Sequence, residues 1–453
     1  MAKFENNLAE GNVVKQLILF SLPVLISNII QSLYSTIDML IVGNFASVAA
    51  MSGVNIGGQV SFIITNMVFG LSVGSTVLIG QYKGADNRRG MHEVIATLLI
   101  SLMVAAVVLT FVIIGLADPI LKVIQTPAES YSEAKSYFII SMTGTIFIFG
   151  YNALSALMRG LGDSKNPLIF VAIACGVNII LDYIFVKHLQ MAAAGAAWAT
   201  IISQAISMIL CIVYLAKNDF IFDFSLESFK AFSKKQLKLI LKIGIPTSIQ
   251  NVASGLSFLF LTTLVNTIGV TASAAVGAVG KLNGFAILPG VAMSTSISAM
   301  SAQNIGAGKY KRASHTMLTG AAIAMGISIV IFVLVGSFPE ACMRMFGGDG
   351  DAEFIKCGVD YIKTFKYDYL IAPVFFCING LFIGSGHTTF SLVNGILSSV
   401  LFRIPASFLF GMVLNWGLTG VGLGAPVASI AALSLCIIFY MTGKWKKIVI
   451  PKH

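Results

Sequence analysis

Long apolar runs separated by short polar breaks dominate the chain. A run of about 20 apolar residues is the length that a helix needs to cross a bilayer. The runs here reach that length repeatedly, so we expect an all-α integral membrane protein. The pattern predicts twelve transmembrane helices at residues 14–37, 50–80, 94–116, 135–158, 168–187, 193–216, 239–265, 272–303, 315–337, 361–384, 390–411 and 418–442.

A polar connector at residues 217–238 interrupts these runs near the middle of the chain. It separates a predicted six-helix N-terminal lobe, residues 1–216, from a six-helix C-terminal lobe, residues 239–453. The opening residues are polar and carry no small-residue cleavage site after a short apolar core. We therefore expect the first apolar run to be an uncleaved span.

The two lobes repeat each other at an offset of about 223 residues, which places Pro23 on Pro246 and Asn28 on Asn251. GQYKGA at residues 80–85 likewise aligns with AQNIGA at residues 302–307. Six spans per repeat predict two bundles in one orientation, related by a pseudo-two-fold axis along the membrane normal. Such parallel repeats are typical of secondary transporters that bind their ligands in a central cleft near the midplane.

Composition and charge support a membrane location. Only 11% of residues are charged, against roughly 25% in soluble domains. The net charge of +10 comes from basic residues in short loops, which argues against nucleic-acid binding. Twenty of the 29 basic residues fall on the side that holds both termini, so we expect a cell-membrane protein with cytoplasmic termini.

The cysteines and histidines give no pattern of a metal or cofactor site. The six cysteines form no CxxC pair, and the five histidines are scattered over loops and helix ends. Cys342 and Cys357 flank one polar loop and could pair. We therefore expect no resident cofactor.

Two acidic residues, Asp38 and Asp182, fall well inside predicted spans, whereas Asp368 lies nearer a helix end. A carboxylate inside a bilayer costs at least ~2.5 to 3.5 kcal/mol, so such residues usually serve an ion or substrate path. At the repeat offset Asp38 aligns with Leu261, and Asp182 aligns with the Ala406 region. Only the first lobe therefore carries these two acids.

Polar residues share helix faces with both acids. Gln31, Tyr34 and Ser35 lie on the Asp38 face of the first span, and Asn178 precedes Asp182 by one turn. Thr200 follows a run of small residues in the sixth span. Carboxylate, amide and hydroxyl oxygens suit hard cations such as Na⁺, and a desolvated carboxyl pair also suits a proton.

A structural interpretation of these polar residues stays open, because polar side chains also tie membrane helices together. Two buried aspartates favour a functional interpretation, because helices can pack together at a lower free-energy cost without buried charges. Lys281 and Arg403 also fall inside spans. For these two we favour structural roles over substrate contacts.

The chain resembles the multidrug and toxic compound extrusion family, and within it the DinF-like branch. The resemblance runs over nearly the whole length and rests on Pro23, Gln31, Tyr34, Asp38 and Gly43 in the first span. It also rests on GQYKGADNRR, AQNIGAGKYKRA, MRGLGDSKNP and GAAWAT. It implies a monomeric antiporter that exports amphipathic organic cations or toxic metabolites in exchange for inward H⁺ or Na⁺.

The resemblance also implies residue roles. The cation site of the DinF-like branch falls here on Asp38, Asn178, Asp182 and Thr200, with the Ala196 carbonyl as a further ligand. We expect Gln31, Tyr34 and Ser35 to line the substrate cleft beside it. The seventh span reads TSIQNVASGLSFLF after Pro246, with no acid, so a second-lobe site of the other branch is not matched.

Two other functions remain as alternatives. A lipid-linked oligosaccharide flippase shares the architecture, but its cleft needs several basic residues for pyrophosphate, and only Lys281 and Arg403 lie inside spans. An intramembrane aspartyl enzyme would use Asp38 and Asp182 as a dyad, but the flanking motifs of such enzymes are absent.

Overall fold

The computed structural model describes residues 6–218, 220–347 and 351–451, and it is helical wherever it is regular. No strand occurs in these ranges, which confirms the all-α prediction. The side chains that are not described within helices are those of Ser35, Phe62, Ile63, Ile64, Asn66, Met67, Val68 and Leu226.

The helices of the first half and the connector are α1 Val13–Phe45, α2 Val48–Gly84, α3 Arg88–Gly115, α4 Ala117–Val123, α5 Ala128–Thr143, α6 Thr145–Gly160, α7 Lys165–Asp182, α8 Ala192–Lys217, α9 Leu226–Phe229 and α10 Lys234–Asn266. A π-helical segment, Tyr183–His188, continues α7.

The helices of the second half are α11 Val270–Ala286, α12 Leu288–Gly306, α13 Tyr310–Ser337, α14 Pro339–Gly347, α15 Ala352–Phe365, α16 Asp368–Gly384, α17 Thr388–Ile396, α18 Ile404–Phe408, α19 Gly417–Gly422 and α20 Gly424–Met441. Two π-helical segments, Leu397–Arg403 and Leu409–Val413, flank α18.

Among the described residues, nine continuous helical stretches are long and apolar enough to cross a membrane. Two bent pairs, α5 with α6 at 49° and α15 with α16 at 50°, raise the number to eleven. Helix α2 has 37 residues, or about 55 Å at 1.5 Å per residue, but several of its side chains are not described. The multi-pass membrane fold is confirmed, and the count of twelve spans stays a prediction.

The predicted fourth span, 135–158, differs from the structure. The helical segment begins at Ala128 and breaks at Gly144. A Cβ atom on Gly144 would lie 2.2 Å from the Ile201 side chain, so α8 approaches the backbone closely at the bend. The pattern of apolar residues could not predict this bend, because it depends on a contact between segments that are far apart in the sequence.

The chain divides into two compact units. Unit 1 contains residues 1–7 and 26–248, and unit 2 contains residues 8–25 and 249–453. Helices α1 and α10 therefore each have residues in both units. Each changes unit three residues after its internal proline, Pro23 or Pro246. Residues 8–25 of the predicted N-terminal lobe lie in unit 2, and residues 239–248 of the predicted C-terminal lobe lie in unit 1. The two lobes as membrane-embedded bodies stay a prediction.

The same irregular features recur in both halves at the repeat offset. Each half has a short helix, α4 or α14, followed by a bent pair and then by an apolar helix with a π-helical segment. Because π-helical turns are rare, their recurrence at Tyr183–His188 and, about one repeat later, at Leu409–Val413 strengthens the case for an internal duplication.

Candidate functional site

Asp38 of α1 and Asp182 of α7 meet inside unit 1. Asp182 is fully buried and Asp38 is 7% exposed. Their carboxyl groups lie close enough to act on each other electrostatically, although 144 residues separate them in the chain. Asp182 is the last residue of α7, immediately before the π-helical segment. This extra-wide turn is a feature that often marks functional positions in helices.

Asn178 and Thr200 complete the predicted oxygen set around this pair. Asn178 is fully buried on the face of α7 that carries Asp182, and it interacts with that carboxyl. Thr200 of α8 accepts a hydrogen bond of 2.9 Å from the Tyr34 hydroxyl of α1. The structure therefore brings Asp38, Asn178, Asp182 and Thr200 into one cluster, with Tyr34 at its edge.

Several polar atoms of the cluster have no hydrogen-bond partner among the described residues. They are Asp38 Oδ1, both carboxylate oxygens of Asp182, and the amide oxygen and nitrogen of Asn178. Buried polar atoms of native proteins are normally paired, so these atoms are available to bind a cation or a proton. Oxygen donors without sulfur or imidazole fit Na⁺ or a proton better than a transition metal.

Tyr137 of α5 is a member of the cluster that the sequence did not reveal. It is 8% exposed, and its hydroxyl is within electrostatic reach of both carboxyls. Gly53 and Gly57 of α2 bring α5 close, since a Cβ atom on Gly57 would lie 2.8 Å from the Tyr137 ring. The small-xxx-small spacing of these glycines was the available signal.

An apolar layer lies one helical turn from the polar cluster. Val42 follows Asp38 by four residues, Val186 follows Asp182 by four, and Ala196 precedes Thr200 by four; all three are buried together. We call this group, completed by Ala50, Val54, Ala193 and Ala197, the apolar layer, and Tyr137 packs against it. Apolar surroundings lower the local dielectric constant and so raise the electrostatic cost of leaving the carboxyl pair unpaired.

Other predicted residues lie apart from the cluster or outside the description. Gln31 is exposed on α1, and the side chain of Ser35 is not described. Ala196 belongs to the apolar layer, so its carbonyl as a ligand stays a prediction. Lys281 is exposed on α11, and Arg403 lies in unit 2. The lining of a substrate cleft by Gln31, Tyr34 and Ser35 is likewise untested.

The second half carries no equivalent cluster at the aligned positions. Leu261 and Ala406 are both buried apolar residues there. The six cysteines, Cys342 and Cys357 included, are free. No group of three or more metal-ligating side chains of the His, Cys, Asp and Glu type occurs in the described part of the chain.

Comparisons with known proteins agree with this description. The sequence profile of the MatE family matches residues 23–184 and again residues 246–409, and the two matches start at the paired prolines. The chain is 30% identical over 437 residues to the probable multidrug resistance protein YpnP of Bacillus subtilis, covering 96% of this chain and 97% of that protein. It is 27% identical over 454 residues to the probable multidrug resistance protein NorM of Thermotoga maritima, covering 98% and 96% of the two chains.

Solved structures support the fold. A structure described as the outward-facing conformation of a multidrug resistance MATE family transporter matches with a TM-score of 0.90 at 23% identity, over 97% of this chain and 98% of that one. A transporter of the MOP superfamily from Pyrococcus furiosus matches with a TM-score of 0.91, also at 23% identity and with the same coverage. With its family profile matched once in each half, the chain belongs to the multidrug and toxic compound extrusion (MATE) family, a family of transporters and not of enzymes.

Proposed function

We propose that this protein is a secondary multidrug efflux transporter that expels amphipathic organic cations in exchange for inward H⁺ or Na⁺. Its family membership and the multidrug resistance names of its relatives support the exported class. Assignment to the DinF-like branch rests on the first-lobe acids and stays part of the proposal. A flippase or an aspartyl enzyme is not favoured by any of these relatives.

The buried Asp38 and Asp182 pair carries the proposal. Two carboxylates at one buried place repel each other, and a buried charge without a partner costs several kcal/mol. Binding one proton or one Na⁺ offsets both costs, and the unpartnered oxygens of Asp38, Asp182 and Asn178 are the ligands available for it. Binding or release of the cation therefore changes the repulsion between the two carboxylates.

Helix α1 is the element that we expect to respond. Asp38 and Tyr34 lie on it, and its residues 13–25 belong to unit 2 while residues 26–45 belong to unit 1. Loss of the cation leaves two like charges that push Asp38 away from Asp182, which strains the Tyr34 to Thr200 hydrogen bond. A proline-containing helix can accommodate such a shift, because Pro23 removes one backbone hydrogen bond.

The energy available for export depends on the charges that are exchanged. One monovalent cation moving inward through a potential of ~150 mV supplies about 3.4 kcal/mol. Export of a monovalent drug cation against the same potential costs the same amount, so a one-for-one exchange is driven by the ion concentration gradient alone, and each tenfold ion gradient, about 1.4 kcal/mol, sustains a tenfold drug gradient. The potential adds to this only when more than one H⁺ or Na⁺ enters for each drug cation, or when the exported molecule is uncharged.

The decisive test is drug uptake into everted membrane vesicles under separately imposed proton and sodium gradients. A fluorescent organic cation is the probe. We expect uptake in the wild type under one of the two gradients and its loss in Asp182→Asn. Asp118→Asn is the matched control, because Asp118 is an exposed acid that pairs with Lys135 at 2.7 Å. Full ion-driven uptake in the Asp182 variant would refute the proposed coupling site.

Membrane orientation and assembly state are also part of the proposal. We place the protein in the cell membrane with both termini in the cytoplasm, on the strength of the basic residues on that side, and we expect it to be a monomer. A C-terminal fluorescent protein that folds only in the cytoplasm tests the orientation. Sedimentation of the purified protein in detergent tests the monomer.

A further inference from the structure

The start of α10 carries a concentration of positive charge that the proposed ion exchange does not use. Four lysines lie within its first nine residues, and no acid lies among them: Lys234, Lys235, Lys238 and Lys242. In a helix of 3.6 residues per turn they fall within an arc of about 100° on one side. All four side chains are exposed. We call this group the lysine stripe.

The opposite side of α10 packs closely on α2 within unit 1. A Cβ atom on Gly74 would lie 2.9 Å from the carbonyl oxygen of Ile240, and one on Gly70 would lie 2.4 Å from that of Gly244. Gln236, on the same side of α10, is only 3% exposed. This packing fixes the rotation of the helix and leaves the lysine stripe on its exposed side.

The lysine stripe has no counter-charge among the described residues. None of its four ammonium groups forms an ion pair or a hydrogen bond with them, whereas Arg89 pairs with Glu93 at 3.2 Å and Lys135 with Asp118 at 2.7 Å. Positive charges in the first turn also oppose the helix dipole, and like charges four residues apart repel each other. Anions from outside the protein offset both costs.

An apolar surface continues the lysine stripe along the same face of α10. Ile245 and Ile249 fall within the same arc, and each is 46% exposed. Lys234 and Lys242 lie about 12 Å apart along the helix axis, and long lysine side chains can extend back to the membrane surface. A face that is cationic at its start and apolar beyond matches the order of headgroup and acyl chain in a phospholipid.

The duplicated helix α1 lacks this feature. At the repeat offset of about 223 residues, the four lysines align in order with Gly11, Asn12, Lys15 and Leu19. Only Lys15 retains the charge, although both helices occupy the same place in the repeat. The shared fold therefore does not require the other three lysines, and an external partner accounts for them.

We propose that the lysine stripe is a docking surface for anionic phospholipids. Their phosphate groups contact the ammonium groups, and an acyl chain packs along Ile245 and Ile249. Clustered lysines beside a membrane span are typical of surfaces that recognise anionic lipids. The inference goes beyond drug efflux, because it holds whichever ion drives transport. With the proposed orientation, these lipids belong to the cytoplasmic leaflet.

Native mass spectrometry of the purified full-length protein with added phosphatidylglycerol tests this binding. Zwitterionic phosphatidylcholine is the reference lipid. We expect the wild type to prefer phosphatidylglycerol, and Lys234→Gln/Lys238→Gln/Lys242→Gln to lose about tenfold or more of that affinity. The corresponding triple arginine variant should keep it, since the charge is retained. No preference in the wild type, or full affinity in the glutamine variant, would overturn the inference.

The matched control removes the same charge elsewhere. Lys444→Gln/Lys446→Gln/Lys447→Gln changes three exposed lysines that follow α20, and it should keep the affinity for phosphatidylglycerol. An equal loss in both glutamine variants would show that net charge alone attracts the lipid, and the stripe would then have no special role.

Thermal unfolding in detergent provides a second readout. Phosphatidylglycerol should raise the midpoint of the wild type more than that of the glutamine variant of the stripe, and added salt should reduce this difference because exposed charges are screened. Inorganic phosphate should not reproduce the effect, because it has no acyl chain. Equal stabilisation by inorganic phosphate would mean that the stripe binds free anions and not lipid.

A transport measurement separates this inference from the proposed function. In everted vesicles the glutamine variant of the stripe should keep the dependence of drug uptake on the imposed ion gradient, whereas Asp182→Asn should lose it. If Asp182→Asn keeps the dependence, the proposed coupling site is wrong, and the lipid affinities still decide the role of the stripe. Loss of the dependence in the stripe variant would contradict a surface that serves lipid binding alone.

Discussion

The Tyr34 hydroxyl of α1 donates a hydrogen bond of 2.9 Å to Thr200 Oγ1 of α8, beside the buried carboxyl pair. This bond joins α1, which also carries Asp38, to α8. It holds α1 to α8 at the edge of the cluster. Its loss is therefore a sensitive probe of how the cluster is coupled to α1.

We predict that Tyr34→Phe lowers ion-driven drug uptake several-fold and reduces stability by about 0.5 to 1.5 kcal/mol, the usual net value of one hydrogen bond. Thr200→Val should have a similar effect, and the double variant should be little worse than either single one. Vesicle uptake and thermal unfolding in detergent measure the two quantities. Tyr367→Phe, at an exposed tyrosine, is the control. Additive losses in the double variant would contradict the pairing.

Gly57 and Gly58 of α2 offer a matched pair of substitutions. A Cβ atom on Gly57 would lie 2.8 Å from Tyr137, whereas one on Gly58 would meet nothing within 4 Å. We predict that Gly57→Ala displaces Tyr137 and lowers ion-driven uptake. Gly58→Ala should keep uptake and gain up to about 1 kcal/mol of stability, because alanine is the better helix former. Equal uptake in the two variants would show that the position of Tyr137 is unimportant.

The connector contains an acid with an altered titration. The Asp223 carboxylate accepts hydrogen bonds from the Ser228 hydroxyl at 2.6 Å and from the Ser225 amide at 3.0 Å, and these lower the pKa of Asp223 to about 2. Because the folded pKa lies below the unfolded one of about 3.9, the acid stabilises the folded connector above that value and loses this effect as the pH falls toward 2.

Hydrogen exchange of the connector measures this pH dependence. After correction for intrinsic rates, we predict that the amides of residues 224–230 are protected more strongly in the wild type than in Asp223→Asn at pH 5. The difference should shrink as the pH falls toward 2. A difference that is constant over this range would mean that the carboxylate does not hold the connector.

Arg312 fixes the segment before α1 within unit 2. Its guanidinium donates to the carbonyl oxygens of Gly11 and Glu10 at 2.8 and 2.7 Å and to Gln16 Oε1 at 2.9 Å. We predict that Arg312→Ala costs about 1 to 3 kcal/mol and speeds exchange of the amides around Gly11, since charged hydrogen bonds are the stronger ones. Lys311→Ala, at the adjacent exposed residue, is the control. Unchanged exchange in Arg312→Ala would contradict this role.

The sequence predicted most of the polar cluster because rarity and helix periodicity are local properties. Asp38 and Asp182 stand out inside apolar runs, and the four-residue spacing of Asn178 and Asp182 fixes their common face. It did not predict Tyr137, because a tyrosine near a helix end is common and only the approach of α2 to α5 places it there. Neither the bend at Gly144 nor the π-helical segments could be predicted, since both depend on contacts with distant helices.

By itself the sequence determined the all-helical membrane fold, the duplication and the family, because apolar length, charge placement and repeat spacing are set residue by residue along the chain. The tertiary structure alone decided which side chains meet. It brought Asp38 close to Asp182 and set the apolar layer one turn away. The physical reason is that contacts between helices depend on how each helix is rotated and how closely it packs, and neither quantity is determined by any single segment.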